Sequence, residues 1–163
     1  MSRENDPLRY AKLFATMKHE GQKYGVLPYT HHLQDVERIL RDFGETDIDM
    51  LTAAWLHDVV EDTSTKLKEI YEVFNDRVAE LVGAVTNEPG ENRKHRQALT
   101  YPKTRSTPGA VRLKLADRIA NVSGGGRLVS MYQKEYDDFR RNLYTTGENE
   151  DMWACLDKLM EYK

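Results

Sequence analysis

In segment after segment of this chain the apolar residues recur three and four apart, and in no stretch do they alternate with polar ones. At 3.6 residues per turn that spacing collects them on one side of a helix, whereas a strand would need a repeat of two. Leu8, Ala11, Phe14, Ala15 and Met17 make such a stripe in Leu8–Glu20, and Val36, Ile39, Leu40 and Phe43 make the next. Leu51, Ala54, Trp55 and Val59 follow, then Val78, Leu81, Val82 and Val85, then Val111, Leu115, Ile119 and Val122. The expected fold is all-α, a helical bundle. With 163 residues and no internal repeat, one domain spanning 1–163 is expected.

Turn residues divide the stripes. Gly21 and Gly25–Pro28 end the first helix, and Thr30 is placed to cap the second, which Gly44 closes. Thr46 or Asp47 caps a helix expected to run unbroken through Leu51–Asp62, after which Thr63-Ser64-Thr65 breaks the pattern and caps Lys66–Phe74. Asn87-Glu88-Pro89-Gly90 is a turn, and Pro102 is expected to interrupt any helix within Arg93–Arg105. Thr107-Pro108 reads as a cap followed by a first-turn proline, opening Gly109–Val122. Gly124–Gly126 has no strand before it and no Lys-Ser/Thr after it, so it reads as a helix stop or hinge, not a phosphate loop. Ser130–Tyr144 and Glu148–Tyr162 complete the bundle, packing through Met131, Tyr132, Tyr136, Phe139, Leu143, Trp153, Leu156 and Leu159.

Charge and cysteine count narrow the function. With 27 acidic against 24 basic residues the net charge is −3, which argues against a nucleic-acid partner. Basic residues do cluster at Arg93–Arg96, Lys103/Arg105 and Arg112/Lys114/Arg118, enough to steer a small polyanion. The single cysteine, Cys155, excludes an intramolecular disulfide and a cysteine zinc cluster. No apolar run reaches transmembrane length, and the polar opening Met1–Asp6 lacks the apolar core of a secretory leader. A cytoplasmic chain without membrane contact is expected, and a homo-oligomer is compatible with the sequence.

Chemistry concentrates at His57-Asp58-Val59-Val60-Glu61-Asp62. On an unbroken helix Glu61 lies one turn below His57, and Asp62 one turn below Asp58. His32, one turn before Val36, is aimed inward, and Lys114, Asp117, Arg118 and Asn121 share a polar face of their helix. Taken singly, each has an ordinary explanation: a solvated helix end, a hydrogen-bonded core histidine, a salt-bridged surface. Taken together, His32, His57, Asp58 and Asp117 offer imidazole nitrogens and carboxylate oxygens suited to a divalent ion: Mn²⁺, Fe²⁺, Zn²⁺ or Mg²⁺. Such an ion lowers the pKa of a water toward neutrality. Glu61 and Asp62 are placed to orient that water or carry its proton, and nearby Arg and Lys to neutralise phosphate oxygens. This is the equipment of a phosphohydrolase.

Three stretches, in order, resemble the HD-domain superfamily, and within it the hydrolase domain of RelA/SpoT-type alarmone enzymes. His19-Glu20-Gly21-Gln22 with Pro28-Tyr29-Thr30-His31-His32 is similar to the family's HxGQ…PY-x-x-HP entry motif. Ala54–Thr63 matches the A-x-LHD-x-VEDT core without a break, and Leu113–Asn121 is similar to the LKLADR-x-x-N helix. The resemblance covers about residues 8–123. It implies His32, His57, Asp58 and Asp117 as metal ligands, most readily for Mn²⁺, and Glu61 and Asp62 as catalytic acids. Lys23, Tyr24, Lys114, Arg118 and Asn121 would contact the nucleotide. The implied reaction removes the 3′-pyrophosphate of guanosine tetra- or pentaphosphate (ppGpp, pppGpp). No segment resembles the synthetase domain of the long members.

The chain departs from the family pattern at three places. Leu33 replaces the proline after the first metal histidine, the Gln22–Pro28 segment is short with its basic pair reduced to Lys23-Tyr24, and Gly124–Gly126 replaces a more regular helical continuation. The last two touch the nucleotide side. They leave room for another substrate, such as the 2′-phosphate of NADPH or a nucleoside monophosphate. A module that binds nucleotide or metal without turnover is the contrasting reading, against which the Glu61-Asp62 pair stands.

Overall fold

Asp6 starts the described chain by accepting hydrogen bonds from the Leu8 and Arg9 amides, and Pro7 takes the first position of helix α1 (Pro7–Lys18). The computed structural model describes residues 6–162. The leader reading of Met1–Asp6 therefore lies outside the described residues except for Asp6. A two-residue hairpin follows, with β1 (Lys23–Tyr24) antiparallel to β2 (Leu27–Pro28), pairing Lys23 with Pro28 and Tyr24 with Leu27. Its loop is Gly25-Val26, and Gly25 takes the positive φ of 63° that a tight hairpin turn requires. Two residues per strand are too few to show an alternating pattern, so this hairpin is not visible in the periodicity.

Helix α2 (Thr30–Asp42) begins at Thr30; Tyr29 occupies the capping position, and Thr30 does not cap. The backbone is already helical at Tyr29, whose carbonyl accepts the His32 amide at 3.0 Å, so no extended capping residue is needed. Gly44 turns the chain at φ 87°, and Asp47 caps α3 (Ile48–Leu56) through the Asp49 amide. The expected unbroken Leu51–Asp62 helix is not what forms. It stops at Leu56, turns through His57-Asp58, and resumes as α4 (Val59–Asp62). The cause is local: His57 Nδ1 lies 2.6 Å from the Ala54 carbonyl, the acceptor that a continuing helix would give to the Asp58 amide. Glu61 and Asp62 thus belong to a separate turn from His57.

Beyond α5 (Leu67–Val73) and α6 (Asp76–Val85, capped by Asn75), α7 spans Arg93–Ser106 with Pro102 inside it. The expected interruption does not occur. An interior proline costs about 3 kcal/mol. The face formed by Gln97, Thr100, Tyr101 and Thr104 is buried against the bundle, and Thr104 Oγ1 donates to the Ala84 carbonyl at 2.6 Å, which offsets that cost. Thr107-Pro108 is likewise not the cap of α8 (Ala110–Ser123). Thr107 ends α7 and Gly109, at φ 86°, occupies the capping position. Gly124–Gly126 stops α8, and α9 (Val129–Leu143) and α10 (Glu150–Leu159) close the bundle.

Helix α8 is the axis of the molecule. It packs against α2, α3, α6, α7, α9 and α10, and buries Ala110, Leu113, Leu115, Ala116, Asp117, Arg118, Ile119 and Val122. A helix buried on more than its apolar stripe must place its polar residues in internal contacts. Those contacts make the site. No helix of the described residues is long and apolar enough to cross a membrane.

Candidate metal centre

The α2 stripe of Leu33, Val36, Ile39 and Leu40 faces the core and carries His32 with it, while its neighbour His31 points to solvent. The α3–α4 turn delivers His57 and Asp58 opposite, and α8 delivers Asp117. His32 Nε2 lies 3.0 Å from Asp117 Oδ1, and His57 Nε2 lies 3.0 Å from Asp58 Oδ2 and 3.3 Å from Asp117 Oδ1. One ligand atom from each of the four residues falls within 4.8 Å of the others, with His32, His57 and Asp117 buried.

The donor set fits a divalent ion. The bond from His57 Nδ1–H to the Ala54 carbonyl leaves Nε2 as the lone-pair nitrogen, facing two carboxylate oxygens. Lone pairs held this close repel unless a cation lies among them. The electrostatics agree: burial opposes charge on His57, but Asp58 and Asp117 outweigh it and raise its pKa well above the ordinary value. Burial likewise opposes charge on Asp117, yet Lys114 and the two histidines hold it well below the usual carboxylate range, and Asp58 is lowered to about 2 mainly by His57. Ligand atoms around one ion at about 2.0–2.2 Å lie no more than roughly 4.4 Å apart, close to the span seen. Neighbours fix the carboxylates. Tyr29 Oη donates to Asp58 Oδ2 at 2.5 Å, Lys114 Nζ sits 3.1 Å from Asp117 Oδ2, and Asn121 Nδ2 donates to Asp117 Oδ1 at 3.1 Å.

A cleft of about 240 Å³ opens over these residues. Glu61 and Asp62 line it from α4, Tyr24 and Tyr29 from the hairpin side, and Lys114, Arg118 and Asn121 from α8. Asp62 accepts from Gln22 Nε2 at 2.9 Å, and Glu61 accepts from the Asn87 amide. Loss of hydration in the cleft pushes both carboxyls above their ordinary values, with the negative Asp58 adding to it. Tyr24 stacks on His32 at 4.8 Å between ring centroids and donates to Asn121 Oδ1 at 2.9 Å; burial is the main cause of its phenol being pushed up to about 12.

Two basic residues expected at the nucleotide are placed differently from each other. Lys23 is exposed on β1 and does not line the cleft, because successive strand residues face opposite ways and Tyr24 takes the inward side. Arg118 lines the cleft but is 1% exposed, its guanidinium held between the rings of Tyr132 and Phe139. Sequence reasoning gave no site role to Tyr29, Gln97, Tyr101 or Tyr132 among the lining residues, and marked Arg93 only as part of a basic cluster able to steer a polyanion. Tyr29 carried a signal as well, its place two residues before the His31-His32 pair. The others come from α7 and α9, which have no motif of their own.

The HD-domain family model matches residues 10–144. The chain is 41% identical over 129 residues to the guanosine-3′,5′-bis(diphosphate) 3′-pyrophosphohydrolase MESH1 of Mus musculus, covering 75% of this chain and 71% of that protein. Against the guanosine-3′,5′-bis(diphosphate) 3′-pyrophosphohydrolase of Aquifex aeolicus it is 39% identical over 122 residues, covering 72% of this chain and 17% of that longer protein. Among solved structures, a metazoan ortholog of SpoT described as hydrolysing ppGpp superposes with a TM-score of 0.83 at 26% identity, over 99% of this chain and 97% of that one.

Proposed function

The chain belongs to the HD-domain family, and from that premise we propose that it is a metal-dependent phosphohydrolase that removes the 3′-pyrophosphate of guanosine tetra- or pentaphosphate, leaving GDP or GTP. The observation that carries the reading is the convergence of His32, His57, Asp58 and Asp117 beneath a cleft that Glu61 and Asp62 also line. The relatives' named activity fits that arrangement.

His32, His57, Asp58 and Asp117 would hold the ion, with Mn²⁺ the best match to two imidazoles and two carboxylates in an open site. When bound, such an ion supplies a Lewis acid and a water acidic enough to react near neutral pH. In the reaction, water adds to the phosphorus bonded to the 3′ oxygen, and that oxygen leaves with a proton. Asp62, oriented by Gln22, and Glu61, held by the Asn87 amide, are the proton-handling groups, and loss of hydration in the cleft raises both carboxyls above their ordinary values. Lys114, reaching the cleft beside Asp117, offsets negative charge on the phosphates. Tyr24 and Asn121 form the nucleoside side of the mouth. The substrate is then a small cytoplasmic nucleotide, and residues 1–163 act as one hydrolase domain.

The test is incubation of the purified chain with guanosine 3′-diphosphate 5′-diphosphate and Mn²⁺, with His57→Ala alongside. Release of GDP and pyrophosphate that is absent in His57→Ala supports the reading, and no release from metal-loaded protein overturns the substrate. One observation favours a second reading, hydrolysis of a different nucleotide phosphate. Tyr24 stands where the family pattern has a base-packing cation and is committed to His32 and Asn121. Release of single phosphate from another nucleotide, such as NADPH, would identify that case.

A further inference from the structure

Away from the metal ligands the cleft runs between α7, α8 and α9, and its wall there holds polar atoms with nothing to bond. Tyr101 is 6% exposed and Arg118 1% exposed, and both line the cleft. Tyr101 Oη, Arg118 Nε and Arg118 Nη1 are buried without a hydrogen-bond partner. Orphaned buried donors of this kind are uncommon, and each destabilises the fold unless something satisfies it.

The neighbouring carboxylate cannot satisfy them. Glu135 receives Arg93 in a fork, Nη2 to Oε1 and Nε to Oε2, both at 2.9 Å. Gln97 Nε2 adds a third bond to Oε1 at 3.2 Å. Arg118 Nη1 approaches the same Oε1 to 3.1 Å but off the direction of a hydrogen bond. Two guanidiniums therefore share one carboxylate, and one positive charge is left over. Arg118 spends its faces on Tyr132 and Phe139, with ring centroids 4.6 and 4.2 Å from its central carbon, which fixes the fork's plane and leaves its edge for hydrogen bonding.

We propose that this end of the cleft is an anion subsite, in which Tyr101 Oη and the edge of Arg118 bind a phosphate or diphosphate group of the nucleotide, the one remote from the metal ligands. The proposal rests on the phosphohydrolase reading only for the identity of the ligand, because the excess charge and the orphaned donors are properties of the pocket itself. A phosphate group presents several acceptor oxygens, enough for the phenol and the guanidinium edge together. The cleft is then polar in two senses, acidic where the ion would sit and basic at the far wall. A substrate with phosphates at both ends would be held in one orientation.

The test uses inorganic pyrophosphate as probe on the full chain stripped of metal with EDTA, so that binding at the metal ligands does not contribute. Calorimetry and thermal melting are read for the native chain, for Tyr101→Phe and for Arg118→Lys. Tyr101→Phe removes one oxygen that has no partner in the fold, so its own melting temperature should equal or exceed the native one. Its pyrophosphate Kd should rise roughly tenfold, the loss of one hydrogen bond to a charged group. With nucleotide substrate its KM should rise in step while kcat holds, the mark of a binding contact that a general packing defect would not give. An unchanged Kd in Tyr101→Phe, or no pyrophosphate binding by the native chain, overturns the subsite. Turnover of guanosine 3′-diphosphate 5′-diphosphate by the native chain is measured in parallel. Turnover without pyrophosphate binding would sink the subsite and leave the function standing, and Tyr101-dependent binding without turnover would do the reverse.

Discussion

Asp62 and Glu37 are carboxylates with opposite assignments, and single substitutions should separate them. Asp62 sits at the cleft, oriented by Gln22, so Asp62→Asn removes a proton acceptor at little cost to packing. Turnover should fall by about 10²–10⁴-fold while metal affinity, read by calorimetry, stays unchanged; intact turnover would remove Asp62 from the mechanism. Glu37 is structural. Burial opposes its charge, but hydrogen bonds from Trp55 Nε1 at 2.5 Å, from Lys12 and from Arg41 outweigh it and lower its pKa. A lowered folded pKa gives stability that is present above the unfolded value and lost as pH falls through the folded one. Urea midpoints should therefore fall in the native chain as pH drops below the ordinary glutamate value of about 4.3, and fall less in Glu37→Gln. A parallel decline in both would assign the acid sensitivity to other carboxylates. At this scale the sequence exposed the groups that motifs mark, His32, His57, Asp58, Glu61, Asp62 and Asp117. It did not expose Tyr101 or Glu135, whose roles depend on which helices meet.

Helix interiors were readable from the stripes, and their ends were not wherever tertiary contacts overrode local preference. Residues 48–62 carry a continuous helical pattern, yet the chain breaks at His57-Asp58 because an imidazole takes a backbone acceptor. Pro102 should have ended α7, and burial of Tyr101 and Thr104 holds the helix through it. The cap of α8 lies two residues beyond the expected Thr107 because Gly109 has the conformation the connection needs. Gly109 is the sharpest test at this scale. Its φ of 86° is strained for any side chain, and a Cβ there would lie 2.8 Å from Met50 Cε. Gly109→Ala should lower unfolding free energy by at least about 1 kcal/mol in urea titration. Pro108→Ala, one residue away, should not produce a comparable loss.

For the whole molecule, the ion ligands come from α2, the α3–α4 turn and α8, so binding an ion ties together parts of the chain 85 residues apart, His32 to Asp117. An ion that binds the folded form alone stabilises it by about 2.7 kcal/mol at a hundred times its Kd. Mn²⁺ should raise the melting temperature of the native chain and leave that of His57→Ala nearly unchanged; equal shifts in both would place the ion elsewhere. The all-α fold was readable because every long segment repeats near 3.6, and the ligand set because its residues lie in recognisable motifs. The shape of the cleft was not, since the residues of α7 and α9 that build its far wall belong to no recognisable motif. Helix α8, which fills the middle of the bundle, begins only at Ala110. A ribosome working from the N-terminus therefore completes α2, α3, α6 and α7 before it makes the helix against which all four pack. Until then those four helices lack that shared partner, and the two histidines wait for an aspartate not yet translated. Nascent chains stopped before Ala110 should stay open to protease and blind to Mn²⁺, and both properties should change together once α8 clears the exit tunnel.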